Sequence, residues 1–413
     1  MAEHDPITHH LQPDKFSSVI QVSGIRALWL ATVTNQLSFG MQQVILGWVV
    51  LTLTQSSGMV GLAFALRSAP NLVVGFAAGA ISDRLDRRTL MRLAVLGLAL
   101  VTLLMAWGIW MDRVAVWHVL LYAVIVGVLR AFEMTARQAY VYDIAGAKNA
   151  VQGLALNAIA QRVGGALGAL IAGVILEWWG ASAAFLVMSL CYGMAGALLY
   201  VLRRRGAAAP TTAPEPLWQN VKSYARALRT HPILRSLIIS TAAVEMIGFS
   251  HQVMLPVLAK DVMHIGAAGL GVLTAFRFIG GVMGATLLTT ISRLPQHGRL
   301  LLVVLGLFGV GEVLLSQVTQ FWLAVACVTA INVMASATDI LHQALLQRHV
   351  ANTQRGRAMG SWIVGTGAAP IGHLEIGYLA GVAGVSAALL LNGSALIALP
   401  FLLAWAMPQL RRL

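Results

Sequence analysis

Apolar residues run along this chain in stretches of about twenty, the length of helix that crosses the hydrocarbon core of a bilayer. Short polar breaks, often carrying glycine or proline, close each stretch. The pattern predicts helices over 25–53, 58–81, 89–111, 115–137, 151–177 and 181–202, then over 233–259, 267–292, 299–317, 320–346, 357–379 and 383–409. Between the two sets lies a polar connector, 203–232, which opens with Arg203-Arg204-Arg205 and contains Pro210, Pro214 and Pro216. Its 218–229 stretch reads as an amphipathic helix on the membrane surface. The predicted organisation is a tail over 1–24, a six-helix half over 25–202, the connector, and a second six-helix half over 233–413.

The halves echo one another. Arg137-Gln138-Ala139-Tyr140 resembles His342-Gln343-Ala344-Leu345, and Ile81-Ser82 closing helix 2 resembles Ile291-Ser292 closing helix 8. Weak similarity of this kind is what a duplicated transporter leaves behind. Arg67 and Arg277 stand 210 positions apart, as do Ile81 and Ile291, whereas aligning Gly61-Leu62 on Gly269-Leu270 gives 208. The fold class expected is an all-α membrane protein with twelve transmembrane helices in two pseudo-symmetric six-helix bundles.

Composition agrees with this and excludes a set of soluble domains. Hydrophobic residues make up 58% of the 413 and charged residues 10%, against about 25% charged in an ordinary soluble domain. The 40 glycines suit membrane helices, whose backbones approach closely through small residues. Met1 to Ser23 is polar, with Asp5, Asp14 and Lys15, and does not read as a signal peptide. Cys191 and Cys327 both sit in apolar runs, so neither a disulfide framework nor a metal site is expected.

Charge sets the orientation. The net charge of +13 does not gather on a soluble basic element, which argues against a nucleic-acid partner. With both termini and the even-numbered loops on one side, that side holds 22 of the 28 Lys and Arg residues, the other holds Arg113 and Lys260, and four fall within spans. The positive-inside rule then makes both termini cytoplasmic.

The strongest local motif runs from Gly75 to Arg88, with Gly75 and Gly79 four apart, then Asp83-Arg84-Leu85-Asp86-Arg87-Arg88. The small residues allow close helix packing, and a carboxylate such as Asp83 is stabilised by an arginine or a helix N-terminus. The segment resembles the loop 2–3 signature of the major facilitator superfamily, Gly-x-x-x-Asp-Arg-x-Gly-Arg-Arg, with Asp86 in place of the usual glycine. Three stretches resemble its exporter branch, which includes the enterobactin exporter and the transmembrane secretion effectors. They are Trp29 to Trp48, with Gly40-Met41-Gln42-Gln43; Ala131 to Asp143, with Ala136-Arg137-Gln138-Ala139; and Leu255 to Gly271, with Leu255-Pro256 and Gly269-Leu270-Gly271. The resemblance implies a major facilitator fold in a bacterial inner membrane. It implies a cytoplasmic gate of Gly79, Asp83, Arg84, Arg87, Arg88 and Arg137, with Asp83 reaching Arg137 and the start of helix 11 near Met359. It also implies an antiporter-type Gly-Pro kink in helix 5, where this chain keeps Gly164, Gly165 and Gly168 but has Ala166 in place of the proline.

Charges at mid-span cost about 2.5–3.5 kcal/mol each on insertion scales, so each should face a wet cavity or a partner. Arg67, Arg162, Arg277 and Glu245 are of this kind, with Glu245 the one mid-span acid and the candidate for proton coupling. Arg130 and Glu133, three apart, are expected to pair, and so are Asp339 and His342. Glu312, Glu375 and His373 are expected to be solvated near the outer ends, and His251 to be a satisfied interhelical residue. Phe39, Trp48, Phe249, Phe276 and Trp362 are candidates to wall a substrate cavity. No nucleotide-binding loop, HExxH or soluble catalytic domain is present to support an enzyme.

The expected function is proton-coupled export of a siderophore or small amphipathic, anionic compound by a monomer whose partners are that solute, protons and the lipid bilayer, without cofactor. Uptake, or sensing without transport, are the alternatives. The topology has a direct test. A cysteine replacing Ala208 should react with an impermeant maleimide in inside-out vesicles and not in intact cells; labelling in intact cells would reverse the orientation.

Overall fold

A computed structural model describes residues 24–84, 86–202, 232–291, 296–348, 362 and 365–412. These residues form helices connected by short breaks. The first are α1 (Ile25–Thr54), α2 (Ser57–Arg84) and α3 (Arg87–Trp110). A continuous run, Val116–Val201, turns sharply at Gly146 and Gly180, whose φ values of 73° and 79° suit glycine and few other residues. Those turns divide it into α4 (Val116–Gly146), α5 (147–180) and α6 (181–201). After the connector come α7 (Pro232–Val262), α8 (Gly266–Ile291), α9 (His297–Gln317), α10 (Phe321–Arg348), α11 (Ala369–Ala383) and α12 (Val385–Ala406). Among the described residues that makes twelve segments. Nine stretches are long and apolar enough to cross a membrane, one of them, Gln152–Val201, holding both α5 and α6. The tail, the connector with its 218–229 stretch, and the start of helix 11 near Met359 lie outside the described residues.

Two predicted boundaries moved for identifiable reasons. Helix α4 continues to Gly146 instead of ending at Arg137, because Arg137 is buried at 1% exposure beside Glu133 and is no loop residue. Helix α7 is interrupted at 248–250, between Pro232–Ile247 and His251–Val257. There the amides of Gly248 and Phe249 both donate to the Val244 carbonyl, at 2.8 and 3.1 Å, and the Ser250 hydroxyl donates to the Ile247 carbonyl at 2.7 Å. The helical ladder therefore skips a step. Asp86, the residue that replaces the usual motif glycine, caps α3 by accepting from the Arg88 amide at 3.1 Å and the Thr89 hydroxyl at 3.2 Å.

The breaks at 55–56, 111–115, 180, 263–265, 318–320 and 384 share one end of the bundle, here termed distal. The opposite end carries the arginine-rich segments and is termed basic. Two seams join the halves toward the distal end: α2 against α11, and α5 against α8. Each is built on a glycine pair. A Cβ on Gly377 would lie 2.9 Å from the Cα of Gly61, and one on Gly271 would lie 2.9 Å from the Cα of Gly173. Gly271 follows Gly61 by the same 210 positions that separate Arg277 from Arg67, whereas their seam partners Gly173 and Gly377 are 204 apart.

Polar contacts fasten the same end. The Glu177 carboxylate of α5 accepts from the amides of Ala267 and Ala268 at 2.6 and 3.4 Å, capping the N-terminus of α8 where a negative charge is favoured. The Ser57 hydroxyl donates to the Gly377 carbonyl at 3.2 Å, and Lys260 reaches Gln55 at 3.4 Å. Gly47 of α1 lies against Pro256 of α7.

In lipid, helix association depends on such close packing because apolar burial gives no drive between helices. Gly173→Val would force the α5–α8 seam apart. Overpacking of this type costs about 1–3 kcal/mol, so the variant should populate a distally open form and speed labelling of a cysteine placed at Ser57. An unchanged labelling rate would show that the seam tolerates the extra bulk.

Candidate functional site

The polar residues of α1 begin the site. Asn35, Gln36, Gln42 and Gln43 are all buried, which is unusual for amides in a membrane helix unless they have partners or face a ligand. Gln36 accepts from the Arg130 guanidinium of α4 at 3.2 Å. Arg130 also lies over the Phe39 ring, 4.0 Å from its centroid, and Arg67 of α2 approaches the same ring at 5.7 Å and Phe64 at 5.1 Å. Two guanidiniums thus share one aromatic ring, whose negative π-cloud attracts them. Arg67 Nε, Arg130 Nη1 and both amide atoms of Gln42 are buried without a hydrogen-bond partner.

The second half brings further charge to this place. Arg277 of α8 is within electrostatic reach of both Arg67 and Arg162 of α5. It leans on Phe278 at 5.4 Å. Arg162 lies directly on the bare backbone of Gly281, so any side chain at that glycine would collide with its guanidinium. Asp339 of α10 is in reach of Arg162, and Glu245 of α7 is in reach of Asp339. Arg67, Arg162, Arg277, Glu245 and Asp339 are each only partly buried. Four guanidiniums face two carboxylates, and the balance is positive.

Several expectations need correction. Glu133 does not pair with Arg130: its Oε1 meets Arg137 Nε at 3.2 Å and accepts from Asn35 at 3.0 Å, while Arg130 turns to Gln36 and Phe39. Asp339 does not pair with His342, whose ring contacts the Ser240 hydroxyl at 2.9 Å and the Thr338 carbonyl at 3.0 Å. Glu245 is therefore not the one acid at mid-depth, since Asp339 joins it. Glu312 and His373, expected to be solvated, are buried at 0% and 2% exposure. His251 is satisfied between helices, as expected, with Gly248, Asn332 and Glu312 around it.

The aromatic wall is also smaller than anticipated. Of Phe39, Trp48, Phe249, Phe276 and Trp362, Phe39 stands at the arginines. Trp48 lines a groove with Ile109 and Asp112, and Phe276 lines another with Met283 and Trp322. Phe249 packs edge-on against Phe308 at 5.8 Å, and Trp362 packs on the core with its indole nitrogen unpartnered. Residues not singled out from sequence, Gln36, Asn35 and the tyrosines Tyr122 and Tyr192 near Arg67, complete the N-terminal side. Their signal was available: paired amides recurring in an apolar helix.

At the basic end Arg87 binds Asp143 at 2.7 Å, and Arg88 reaches Asp86 at 3.4 Å and the Leu202 carbonyl at 3.0 Å. Helix α2 extends through Gly79 and Asp83 to Arg84, but the surroundings of these three lie outside the described residues. The Asp83–Arg137 contact is thus outside them too, and Arg137 has Glu133 as its ion-pair partner.

Comparison with known proteins places this fold among those of transporters. The profile of the Major Facilitator Superfamily matches residues 28–311. A curated relative, the staphyloferrin A transporter of Staphylococcus aureus (strain NCTC 8325 / PS 47), is 25% identical over 347 residues, 83% of this chain and 86% of that protein. Among solved structures, the nucleoside transporter NupG superposes with a TM-score of 0.77 at 12% identity over 93% of this chain and 99% of its own. A bacterial homologue of the human lysosomal transporter Spinster, inward-facing and unoccupied, gives 0.73 at 15% identity over 96% and 98%. The human organic anion transporter MFSD10 gives 0.66 at 16% identity over 93% and 99%.

The Asn35–Glu133–Arg137 unit yields a stability test. Removing one member of a buried ion pair costs about 3–5 kcal/mol because the other charge is left unpaired. Glu133→Gln should lower the melting temperature of the purified protein, and Glu133→Gln with Arg137→Met should recover most of the loss. Equal melting of the single variant and the parent would remove the pair from the structural framework.

Proposed function

Because the chain belongs to the Major Facilitator Superfamily, we propose that it is a proton-coupled exporter of a small anionic compound, of the siderophore class, working by alternating access from a bacterial inner membrane. The basic end is cytoplasmic in this reading, since it carries the excess of Lys and Arg. The observation that carries the substrate class is the convergence of Arg67, Arg162 and Arg277 from α2, α5 and α8, with Arg130 sharing Phe39. Like charges gathered in a weakly screened interior repel strongly, and an anion seated among them relieves that cost. Unpartnered nitrogens on Arg67 and Arg130 are suited to carboxylate or phenolate oxygens. The likeness to a staphyloferrin A transporter supports the siderophore class.

Glu245 is the proton carrier in this scheme and Asp339 its partner. Two carboxylates in reach of each other favour holding one proton between them, and the nearby Arg162 favours the charged form. An anionic substrate arriving at the arginines weakens their hold on the acids and changes which is protonated. The anion and the carboxylates then compete for one positive field, which links substrate occupancy to proton occupancy through Arg162.

The test uses the full chain in proteoliposomes and compares flux driven by a pH gradient with substrate exchange lacking one. Arg67→Gln and Arg277→Gln should each weaken binding of anionic solutes by about tenfold or more, the worth of one charge-assisted hydrogen bond, and lower both activities. Glu245→Gln should lose driven flux and keep exchange. Preference for cations, or full activity in all three variants, would overturn the assignment.

A further inference from the structure

Apart from the arginine cluster, the second half encloses a separate polar group around the break in α7. Glu312 of α9 is at 0% exposure, and neither carboxylate oxygen has a hydrogen-bond partner. One charged or chargeable group touches it: His251 of α7, whose Nδ1 stands 3.2 Å from Glu312 Oε1. The same Nδ1 is 2.6 Å from the Gly248 carbonyl. A carbonyl accepts only, so Nδ1 carries a hydrogen and donates. The other ring nitrogen, Nε2, faces the Asn332 amide of α10 at 3.5 Å. Around this pair stand Arg277 of α8, in electrostatic reach of His251, and Glu375 of α11, in reach of Glu312. The Asn392 amide of α12 donates to both Glu375 at 3.2 Å and Ser250 at 3.0 Å.

We propose that His251 and Glu312 form a proton-binding site that sets the hinge of α7 and thereby the closure of the distal end. With one proton, on Nδ1, the pair is a neutral imidazole beside a bare carboxylate and carries a net negative charge. With a second proton it is neutral, either as imidazolium and carboxylate or as imidazole and carboxylic acid. A dehydrated site tolerates the neutral form, because an isolated charge in an apolar interior is costly. The dehydrated arrangement is the one seen with the distal end fastened.

The link from proton to closure is the helix itself. In an unbroken α7 the Gly248 carbonyl would accept from the Gln252 amide, one turn on. Here it accepts from the His251 ring, which holds the break open. The arm beyond the break leads to the distal end: at the depth of Arg67, Gln252 meets His373 of α11 at 3.2 Å and His373 meets Ser68 of α2 at 3.2 Å, and nearer the distal end Pro256 rests on Gly47 of α1. Loss of the second proton leaves the carboxylate charged, favours entry of water, and releases this arm. The distal end should therefore close at low pH and open as pH rises.

Ser57 reports the seam directly, being buried against Gly377. In the reconstituted full chain with Cys191→Ser and Cys327→Ser, Ser57→Cys is labelled with an impermeant maleimide across pH, correcting for the reagent's own pH dependence. Labelling should rise with pH, by up to about tenfold per unit, the limit for a one-proton linkage. Glu312→Gln should flatten this profile. His251→Asn, whose amide can still donate to Gly248, should flatten it too and decides the matter if Glu312→Gln fails to insert. A profile that survives in Glu312→Gln or, where that chain fails to insert, in His251→Asn would overturn the proposal. No solute is present, so the outcome is independent of the anionic-substrate reading and fails separately from it.

Discussion

A charge removed from water must find an opposite charge, an oriented dipole or a ligand, and that constraint arranges the interior of this protein. Each buried ionisable group is answered differently. Arg137 has Glu133, backed by Asn35. Glu177 has the open amides at the head of α8. Arg130 and Arg67 have the ring of Phe39. These answers are partial in the centre, where arginines outnumber acids and some of their nitrogens have no protein partner. A fully compensated centre would be stable and inert; an under-compensated one has a place for a solute.

The same helices carry both the charges and the contacts that join the halves. Arg67 and Gly61 are on α2, and Arg277 and Gly271 are on α8. Arg162 and Gly173 share α5. In the proposed scheme, a solute drawing the arginines together would act on the helices whose glycine seams hold the distal end. Helix α7 supplies the other link. Its break places Glu245 on one arm, near the central charges, and Pro256 on the other, in the contacts toward the distal end. The turn between them is where His251 and Glu312 meet.

Much of this was legible in the chain. Runs of about twenty apolar residues leave helices as the structure that satisfies its own backbone within lipid, so the helical segments of the described residues could be read directly. Buried charges could be flagged singly, because the cost of an ionisable group in an apolar run depends on that group alone.

Partnership was a different matter. On α4, Glu133 can reach either Arg130 or Arg137 by helical spacing, and neither choice is favoured within the helix. The decision came from α1, where Asn35 holds the carboxylate, and Gln36 and Phe39 draw Arg130 away. Glu312 looked like a solvated residue at the end of a span, and only the break in α7, which turns His251 toward it, made it an enclosed pair. The sequence by itself determined which residues would be in the membrane and which of them would be costly there, because hydropathy is a property of each residue and its helix. The tertiary structure alone decided who neutralises whom, because Coulomb and hydrogen-bond energies depend on distances of a few ångströms between helices far apart in the chain.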